Sequence, residues 1–401
     1  MDFKAGKPKL IRKINRKLII DVIREEQNCT QTYISKKTGI SKQTVSKITA
    51  NLIKEGLVLK TGTGKSTEEG GKKPVLFKFN PRSRYVIGVM ITNKITAVLT
   101  DLKSNIIMEK SIDTHYKIGH NRVMLSLLKL LKEIINESKI EKSRLSGVGI
   151  GIQGIVSDKR IKLLPSFMDW EDLSLGNYLE KEMGCRVFIE NDNRLRGYGE
   201  KWFGLARNVN NFATLYIEKG LGAGFFYNNK TITGYNHYSG EIGHIKLKKD
   251  GPKCGCGGNG CLETMVNIER IRGLFREKIK SDSFNNSVLY RKFKNSWNLI
   301  TPEILFDNFY KGDVLAKQIV DDISYWLGKG ISLISATLDP DLIIIHGPYV
   351  TGGEYFLEKV KASANKNFLP NVKKEINIKY SKLGERAGLI GAVGIVLDHT
   401  L

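Results

Sequence analysis

The sequence predicts an α/β protein of two lobes, preceded by a small winged helix-turn-helix domain. Two observations carry this prediction: the first 60 residues have the spacing of three helices followed by a polar loop between two short strands, and strands alternate with helices from Tyr85 onward. Alternation of this kind is typical of layered α/β folds. A chain of 401 residues has room for two or three domains. We place the N-terminal domain at residues 1–80 and the α/β region at residues 81–401.

The three N-terminal helices each have a local signal. An apolar stripe along the first helix, residues 10–26, consists of Ile11, Ile14, Leu18 and Val22. Thr30 can cap a short second helix that Gly39 ends, and Ser41 can cap the third. The third helix has one apolar face, formed by Val45, Ile48, Leu52 and Ile53. Two short helices joined by so short a turn have the layout of a helix-turn-helix.

A basic wing follows the third helix. Strands at 57–59 and 75–79 flank a polar, glycine-rich loop at 61–74. Residues 1–80 hold 18 Lys and Arg against 7 Asp and Glu, so +11 of the net charge of +23 lies in one fifth of the chain. A concentrated basic face favours a polyanionic partner, although a generally lysine-rich composition accounts for part of the excess. We expect DNA contacts from Lys42, Gln43, Thr44, Ser46 and Lys47 on the third helix and from Lys72 and Lys73 on the wing.

Cysteine usage and hydropathy predict the compartment. Five cysteines, an odd number, do not fit a disulfide framework. No apolar run approaches the length of a membrane span, and no signal peptide follows the basic N-terminus. We therefore expect a cytoplasmic protein that is neither exported nor embedded in a membrane.

The densest chemical motif is a cysteine cluster. Cys254, Cys256 and Cys261, with His244 ten residues upstream, supply three thiolates and an imidazole. These groups form a complete tetrahedral ligand set for zinc, and four protein ligands leave no open position for catalysis. We therefore expect a structural Zn²⁺ ion. Ordinary free thiols in a turn are the alternative.

Two groups of carboxylates come next. Glu190-Asn191-Asp192-Asn193 follows a strand at 186–189, where a parallel strand opens into a ligand crevice. Glu241 and Glu263 flank the zinc motif, so the metal would bring them together. Carboxylates and an amide in a crevice suit a ligand with several hydroxyl groups, such as a sugar, whereas a solvated acidic turn is the competing interpretation of 190–193. The G-x-G-x-x-G match at 149–154 is weak evidence for a dinucleotide site, because apolar residues follow it where a helix is required.

These motifs resemble those of the ROK family of sugar kinases and transcriptional repressors, and in particular its repressor branch, which includes the xylose repressors. The stretch 241–244 looks like the family's E-x-G-H motif, and 254–263 looks like its zinc motif. The stretch 149–154 is similar to the family's G-x-G-x-P-G, with Gln153 in place of proline. The wing element G-G-R-x-P has its counterpart at 70–74, with Lys72 in place of arginine.

The resemblance implies a fold and a set of sugar ligands. A two-lobed, actin- or hexokinase-like (ribonuclease H-like) ROK domain would follow the winged helix. Its smaller lobe would comprise about 81–195 with the C-terminal helix 386–401, and the larger, zinc-containing lobe about 196–385. The sugar ligands carried over are Asn191, Asp192, Glu241, His244 and Glu263. His244 would contact the sugar through its second ring nitrogen.

The resemblance leaves two functional classes, repressor and kinase. The kinases hold ATP phosphates with D-x-G-G-T and G-T-G-x-G, but here 87–94 lacks the aspartate and the paired glycines, and Glu218 replaces a glycine of the second loop. We therefore predict a sugar-responsive repressor of carbohydrate utilisation that is not an enzyme, with an ATP-dependent sugar kinase as the alternative. The implied partners are a palindromic double-stranded DNA operator, a pentose (xylose included) or hexose, and further copies of the chain in a homodimer or homotetramer.

Overall fold

The computed structural model describes residues 8–64, 73–114, 119–157, 159–163, 172–280, 284–369 and 375–401. None of the helices in these ranges is both long enough and apolar enough to cross a lipid bilayer. The N-terminal region consists of α1 (Pro8–Glu25), α2 (Gln31–Thr38), α3 (Lys42–Lys54), β1 (Val58–Thr63) and β2 (Val75–Phe79).

The N-terminal region has the predicted helix-turn-helix and hairpin. The hydroxyl of Thr30 accepts a hydrogen bond from the backbone of Tyr33 at 3.1 Å and caps α2. Gly39 ends that helix in the left-handed conformation, with φ of 71°. Ser41 caps α3, and β1 pairs with β2 in antiparallel register. These local signals were therefore sufficient to predict the elements.

The buried face of α1 differs from the predicted stripe. Ile11, Ile14 and Leu18 are 52%, 50% and 43% exposed. The residues of α1 that are buried are Ile19, Ile20, Val22 and Ile23. Apolar residues occur on more than one face of this helix, so the spacing predicts a helix without deciding which face packs.

Two five-stranded sheets form the α/β region. The first has the order β5-β4-β3-β6-β9 and the second β12-β11-β10-β13-β14. The strands of the first are β3 (Tyr85–Ile91), β4 (Lys94–Asp101), β5 (Ile106–Asp113), β6 (Leu145–Ile152) and β9 (Val187–Asn191). The strands of the second are β10 (Phe212–Ile217), β11 (Leu221–Tyr227), β12 (Lys230–Thr231), β13 (Leu342–His346) and β14 (Ile378–Tyr380), and a separate hairpin consists of β7 (Ile155–Ser157) and β8 (Arg160–Leu163).

The helices form layers around these sheets. Two central helices, α6 (Asp192–Phe203) and α13 (Ala387–Thr400), lie between the sheets and share one apolar core with both. The outer face of the first sheet is covered by α4 (His120–Ser138) and α5 (Leu175–Met183). In the described ranges, six helices share an apolar core with the second sheet: α7 (Leu262–Val266), α8 (Ile268–Lys278), α9 (Val288–Phe293), α10 (Pro302–Tyr310), α11 (Val314–Leu338) and α12 (Gly353–Lys366).

The G-x-G-x-x-G stretch has a packing role. Gly149 and Gly151 lie in β6, and Gly154 lies between β6 and β7. A Cβ at Gly149 would lie 1.9 Å from the carbonyl oxygen of Ala392, so only glycine allows α13 to approach this strand so closely. The position of these glycines therefore gives no support to a dinucleotide site.

Candidate functional site

A cavity of about 730 Å³ is lined by residues from the ends of both sheets. Its volume is in the range of small-molecule sites. All five predicted sugar ligands line it: Asn191, Asp192, Glu241, His244 and Glu263. Residues from six separate parts of the chain meet here, and two of these parts adjoin because the parallel strands β6 and β9 end on the same side of the first sheet.

Asp192 is the first residue of α6 and is 5% exposed. Burial raises the pKa of this carboxyl, and the guanidinium of Arg196, whose nearest nitrogen lies 3.9 Å away, opposes the increase only in part. A buried carboxylate with incomplete compensation gains from accepting hydrogen bonds. Asp192 is therefore suited to bind hydroxyl groups of a ligand.

Asn191 caps α6, and this role uses most of its side chain. Its Oδ1 accepts hydrogen bonds from the backbone of Asn193 at 2.9 Å and of Arg194 at 3.3 Å. Its Nδ2 donates to the carbonyl of Gly154 at 3.0 Å. One N–H of the amide remains for a ligand, so Asn191 fixes the position of Asp192 more than it binds.

Residues 190–193 are a strand end and a helix start, which contradicts the interpretation of this stretch as a solvated acidic turn. Glu190 is buried and accepts a hydrogen bond from Nε of Arg194 at 2.7 Å. Arg194 in turn donates to the backbone carbonyl of His237 at 3.1 Å. This ion pair fixes the loop that leads to Glu241, so Glu190 supports the site without lining it.

Two further residues of α6 line the cavity and were not predicted as ligands. Both have a buried polar atom with no hydrogen-bond partner among the described residues: Oδ1 of Asn193 and Nε of Arg196. Their positions follow from helical spacing, since Arg196 is four residues after Asp192. Recognising Asn191 as a helix cap would have predicted a helix from Asp192 onward, and therefore that Arg196 lies on the same face as Asp192.

The four predicted metal ligands lie together. One donor atom from each of His244, Cys254, Cys256 and Cys261 falls within 4.8 Å of all the others. The Sγ atoms of Cys256 and Cys261 are 3.7 Å apart. A tetrahedral zinc site with Zn–S bonds of about 2.3 Å implies a separation of about 3.8 Å between sulfurs. The cluster can therefore hold a metal ion of this kind.

Glycines make the cysteine loop possible. Gly257 and Gly260 have φ of 87° and 66°, a region that favours glycine. A Cβ at Gly260 would also lie 1.7 Å from the carbonyl oxygen of Lys248. The loop consequently turns tightly enough to bring three sulfurs to one point.

His244 and Glu263 connect the cysteine cluster to the cavity. The Nδ1 atom of His244 lies 3.5 Å from Sγ of Cys254, and its Nε2 lies 3.9 Å from a carboxylate oxygen of Glu241. Glu263 accepts a hydrogen bond from the backbone of Leu221 at 3.0 Å, and its other oxygen lies 3.7 Å from Sγ of Cys254. The two ring nitrogens of His244 thus face the two different sites.

A second cavity of about 550 Å³ adjoins the first. Arg196, Tyr216 and Glu218 line both cavities. The guanidinium of Arg196 lies 3.8 Å from the centre of the Tyr216 ring, and the Tyr216 hydroxyl donates to Glu218 at 2.5 Å. These three side chains form a polar partition, with a carboxylate at the position where the kinase motif has a glycine.

The first turn of α3 presents polar residues to solvent. Lys42, Gln43, Ser46 and Lys47 are exposed, whereas Thr44 is half-buried. The hydroxyl of Ser41 lies 3.0 Å from that of Thr44, so Thr44 belongs in part to the helix cap. On the wing, Lys73 is exposed, and Lys72 lies outside the described residues.

Comparison with known proteins shows relatives of two kinds. A xylose repressor of Bacillus spizizenii is 28% identical over 395 residues, 98% of this chain and 97% of that protein. A glucokinase of Thermotoga maritima is 30% identical over 254 residues, 63% of this chain and 79% of that protein. The transcriptional regulator NagC of Escherichia coli is 24% identical over 415 aligned positions, 99% of this chain and 97% of that protein.

Solved structures show the same fold. A ROK family transcriptional regulator, a homologue of the Escherichia coli MLC protein, has a TM-score of 0.80 at 24% identity and is matched over 96% of each chain. A ROK family glucokinase from Streptomyces griseus, in complex with glucose and AMPPNP, has a TM-score of 0.65 at 25% identity, over 78% of this chain and 99% of that chain.

Sequence models of two families match the chain. The MarR family model matches residues 14–65, which hold the helix-turn-helix. The ROK family model matches residues 86–399, which hold both sheets and the cavity between them. Because that match covers most of the chain, the protein belongs to the ROK family and carries a MarR-type winged helix-turn-helix ahead of its ROK domain.

Proposed function

We propose that the protein is a transcriptional repressor that binds a palindromic DNA operator through residues 1–80 and a sugar through residues 81–401. The observation that carries this proposal is the presence, in one chain, of an exposed polar first turn of α3 and of a cavity lined by four carboxylates. Relatives named as xylose repressor and as NagC are similar in sequence to this chain over nearly their whole length, which supports the proposal. The proposed assembly is a homodimer or homotetramer, which matches the two halves of a palindrome.

The sugar is held by hydroxyl contacts on one side of the cavity. The proposed ligands are Asn191, Asp192, Glu241, His244 and Glu263. Asp192 supplies the buried charged acceptor, and the Nε2 atom of His244 faces the cavity while its Nδ1 faces the cysteines. Xylose, glucose and N-acetylglucosamine all carry the adjacent hydroxyl groups that such a set can bind.

Zn²⁺ is the proposed metal of the cysteine cluster. His244, Cys254, Cys256 and Cys261 would hold it, and the sulfur spacing supports that assignment. When bound, the ion fixes the loop that carries His244 and Glu263. Its role is structural, because four protein ligands complete its coordination.

To regulate, the sugar must prefer one arrangement of the protein over the other. A hundredfold preference supplies about 2.7 kcal/mol of coupling free energy. Since α6 and α13 lie between the two sheets, closure of the cavity around a sugar would change the packing that supports the DNA-binding domain.

The test begins with a DNA fragment selected by the purified protein from a random-sequence library. Its affinity is then measured by gel shift with and without D-xylose, D-glucose and N-acetylglucosamine. We expect a sequence preference and a change of at least tenfold with one of the sugars. No sequence preference, or no effect of any sugar that calorimetry shows to bind, would contradict the proposal.

An ATP-dependent sugar kinase is the second candidate. Asp192 in the cavity and the glucokinase relative favour it. Against it, Glu218 would repel a phosphate at the partition, and Arg196 with Tyr216 occupies the space between the two cavities. A coupled assay with ATP and each sugar decides between them, because kinases of ordinary efficiency turn over about 1–100 times per second.

A further inference from the structure

We propose that helix α6 links the sugar cavity mechanically to the DNA-binding domain through a cluster of five side chains. We name it the docking cluster: Lys17 and Arg24 of α1, Lys201 and Trp202 of α6, and Asp398 of α13. The inference rests on the proposed function and deepens it, because it assigns the regulation of that site to residues outside both binding surfaces.

The two ends of α6 lie in different places. Its first residue, Asp192, lines the sugar cavity, whereas Lys201 and Trp202 lie in its last turn. Nine or ten residues of helix separate these ends by roughly 14 Å. Nearly every residue between them is buried, so the helix is held on all sides along its length.

A single carboxylate joins three elements at the far end of α6. Asp398 of α13 accepts hydrogen bonds from Nζ of Lys201 at 2.7 Å and from Nε1 of Trp202 at 3.3 Å. It also accepts one from Nζ of Lys17, on α1, at 3.4 Å. Burial would raise the pKa of Asp398, but Lys201 and Lys17 hold it below its ordinary value. The carboxylate therefore stays charged and keeps all three donors.

An aromatic contact reinforces this junction. The guanidinium of Arg24 lies 4.3 Å from the centre of the Trp202 ring, within the range of a cation–π interaction. Trp202 also belongs to an apolar core that is continuous with the core of the N-terminal region. The position of α1 thus depends directly on the last turn of α6.

Close helix packing makes α6 and α13 move as one body. A Cβ at Gly391 would lie 1.9 Å from the carbonyl oxygen of Leu195, and a Cβ at Gly394 would lie 2.8 Å from that of Tyr198. Helix backbones this close leave no space for one to shift without the other. A displacement of Asp192 by a bound sugar is consequently transmitted to both helices that hold α1.

One contact in the cluster favours a second arrangement. Nη1 of Arg24 is buried and has no hydrogen-bond partner among the described residues. An unsatisfied buried donor makes the observed position of α1 costly to maintain. A position of α1 in which Arg24 finds an acceptor would remove this cost, and a sugar that favours such a position would shift the equilibrium toward it.

The test compares two substitutions on one helix in the full-length protein. Lys17→Met removes the charge that reaches Asp398, and Lys17 is exposed enough for the variant to fold. Lys13→Met is the control, because Lys13 lies one turn earlier on α1, is exposed and has no ion pair with any described residue. Both variants lose the same charge near DNA.

The measured quantity is the factor by which the sugar that binds wild type, chosen among D-xylose, D-glucose and N-acetylglucosamine, changes affinity for the selected DNA. We expect Lys17→Met to reduce this factor about two- to fivefold, with sugar affinity within twofold of wild type. Lys13→Met should retain the full factor. Asp398→Asn should reduce it about tenfold, provided that its unfolding midpoint shows a folded protein.

The outcomes separate this inference from the proposed function. If wild type responds to sugar and Lys17→Met responds equally, the inference is overturned and the repressor function stands. An equal reduction in Lys13→Met and Lys17→Met also overturns it, because the effect would then come from charge alone. If wild type shows no response to any sugar that binds, the proposed function is wrong and the inference falls with it.

Discussion

Helices α3 and α6 both carry a dense set of polar side chains, but they hold them in opposite ways. On α3, Lys42, Gln43 and Lys47 are exposed and make no hydrogen bond or ion pair through their side chains with the described residues. On α6, Asp192 and Lys201 are buried and each lies near a group of opposite charge. Exposed polar side chains without partners in the protein are available to an external polyanion. Buried side chains that are paired with each other instead shape an internal site.

This difference between α3 and α6 predicts which substitutions change only ligand binding and which also change the stability of the fold. Substitutions on the exposed face of α3 should alter DNA binding and leave the free energy of unfolding within about 0.5 kcal/mol of wild type. Substitutions on α6 should alter both sugar binding and stability, because its polar groups are buried and their charges contribute to the free energy of unfolding with either sign. Four predictions test this contrast.

The largest effect is expected from loss of the proposed zinc ion. Cys261→Ser should remove the ion and displace His244 and Glu263, so sugar affinity should fall more than a hundredfold. Operator affinity without sugar should stay within about threefold of wild type, because α3 packs against α1, α2 and β1 of the N-terminal region. Metal analysis, calorimetry and gel shift measure the three quantities. Cys185→Ser is the control, since Cys185 is a free cysteine outside the cluster.

Asp192→Asn should lower sugar affinity about ten- to a hundredfold, because it removes the buried charged acceptor. The pKa of Asp192 is raised by burial, so the ionised form of this carboxyl destabilises the sugar-free fold. The substitution should therefore raise the unfolding temperature while it weakens binding. Asp250→Asn, on the surface, should change neither quantity. Unchanged sugar affinity in Asp192→Asn would remove this residue from the site.

On α3 the expected effects are smaller and confined to DNA. Lys47→Ala should weaken binding to all DNA sequences about three- to tenfold. It should also reduce the slope of log affinity against log salt concentration by about 1, as expected for the loss of one phosphate contact. Gln43→Ala should lower the discrimination between bases at one base pair of the operator by about 1–3 kcal/mol. Titrations of selected and scrambled DNA at several salt concentrations measure both effects. A fall in sugar affinity or in unfolding temperature for either variant would break the contrast with α6.

The smallest effect is a pH dependence of sugar binding. Because the ionised form of Asp192 accepts the hydrogen bonds and its pKa is raised, sugar affinity should be full well above that pKa. Sugar affinity should decline as the pH falls through the pKa of Asp192. The decline should begin at a higher pH than the titration of an ordinary aspartate would give. Calorimetry between pH 8 and pH 5 tests this prediction, and Asp192→Asn should show a flatter profile. An identical decline in that variant would assign the titration to another group.

Some features of the site could be predicted because their signals are local. The caps at Thr30 and Ser41 use hydrogen bonds within three residues of sequence, and the cysteines of the metal cluster lie within one short loop. The start of α6 was missed, because Asn191 and Asp192 are as typical of turns as of helix caps. That error also concealed Arg196, whose approach to Asp192 depends on helical spacing.

The sequence by itself determined the winged helix-turn-helix, the alternating α/β order and the cysteine ligand set, since backbone hydrogen bonds and short loops depend on neighbouring residues. Only the tertiary structure decided which face of α1 is buried, that Arg194 reaches the carbonyl of His237, and that Asp398 joins α1, α6 and α13. These contacts join residues whose order along the chain carries no information about their distance, and their strength comes from exclusion of water by layers that assemble only in the complete fold.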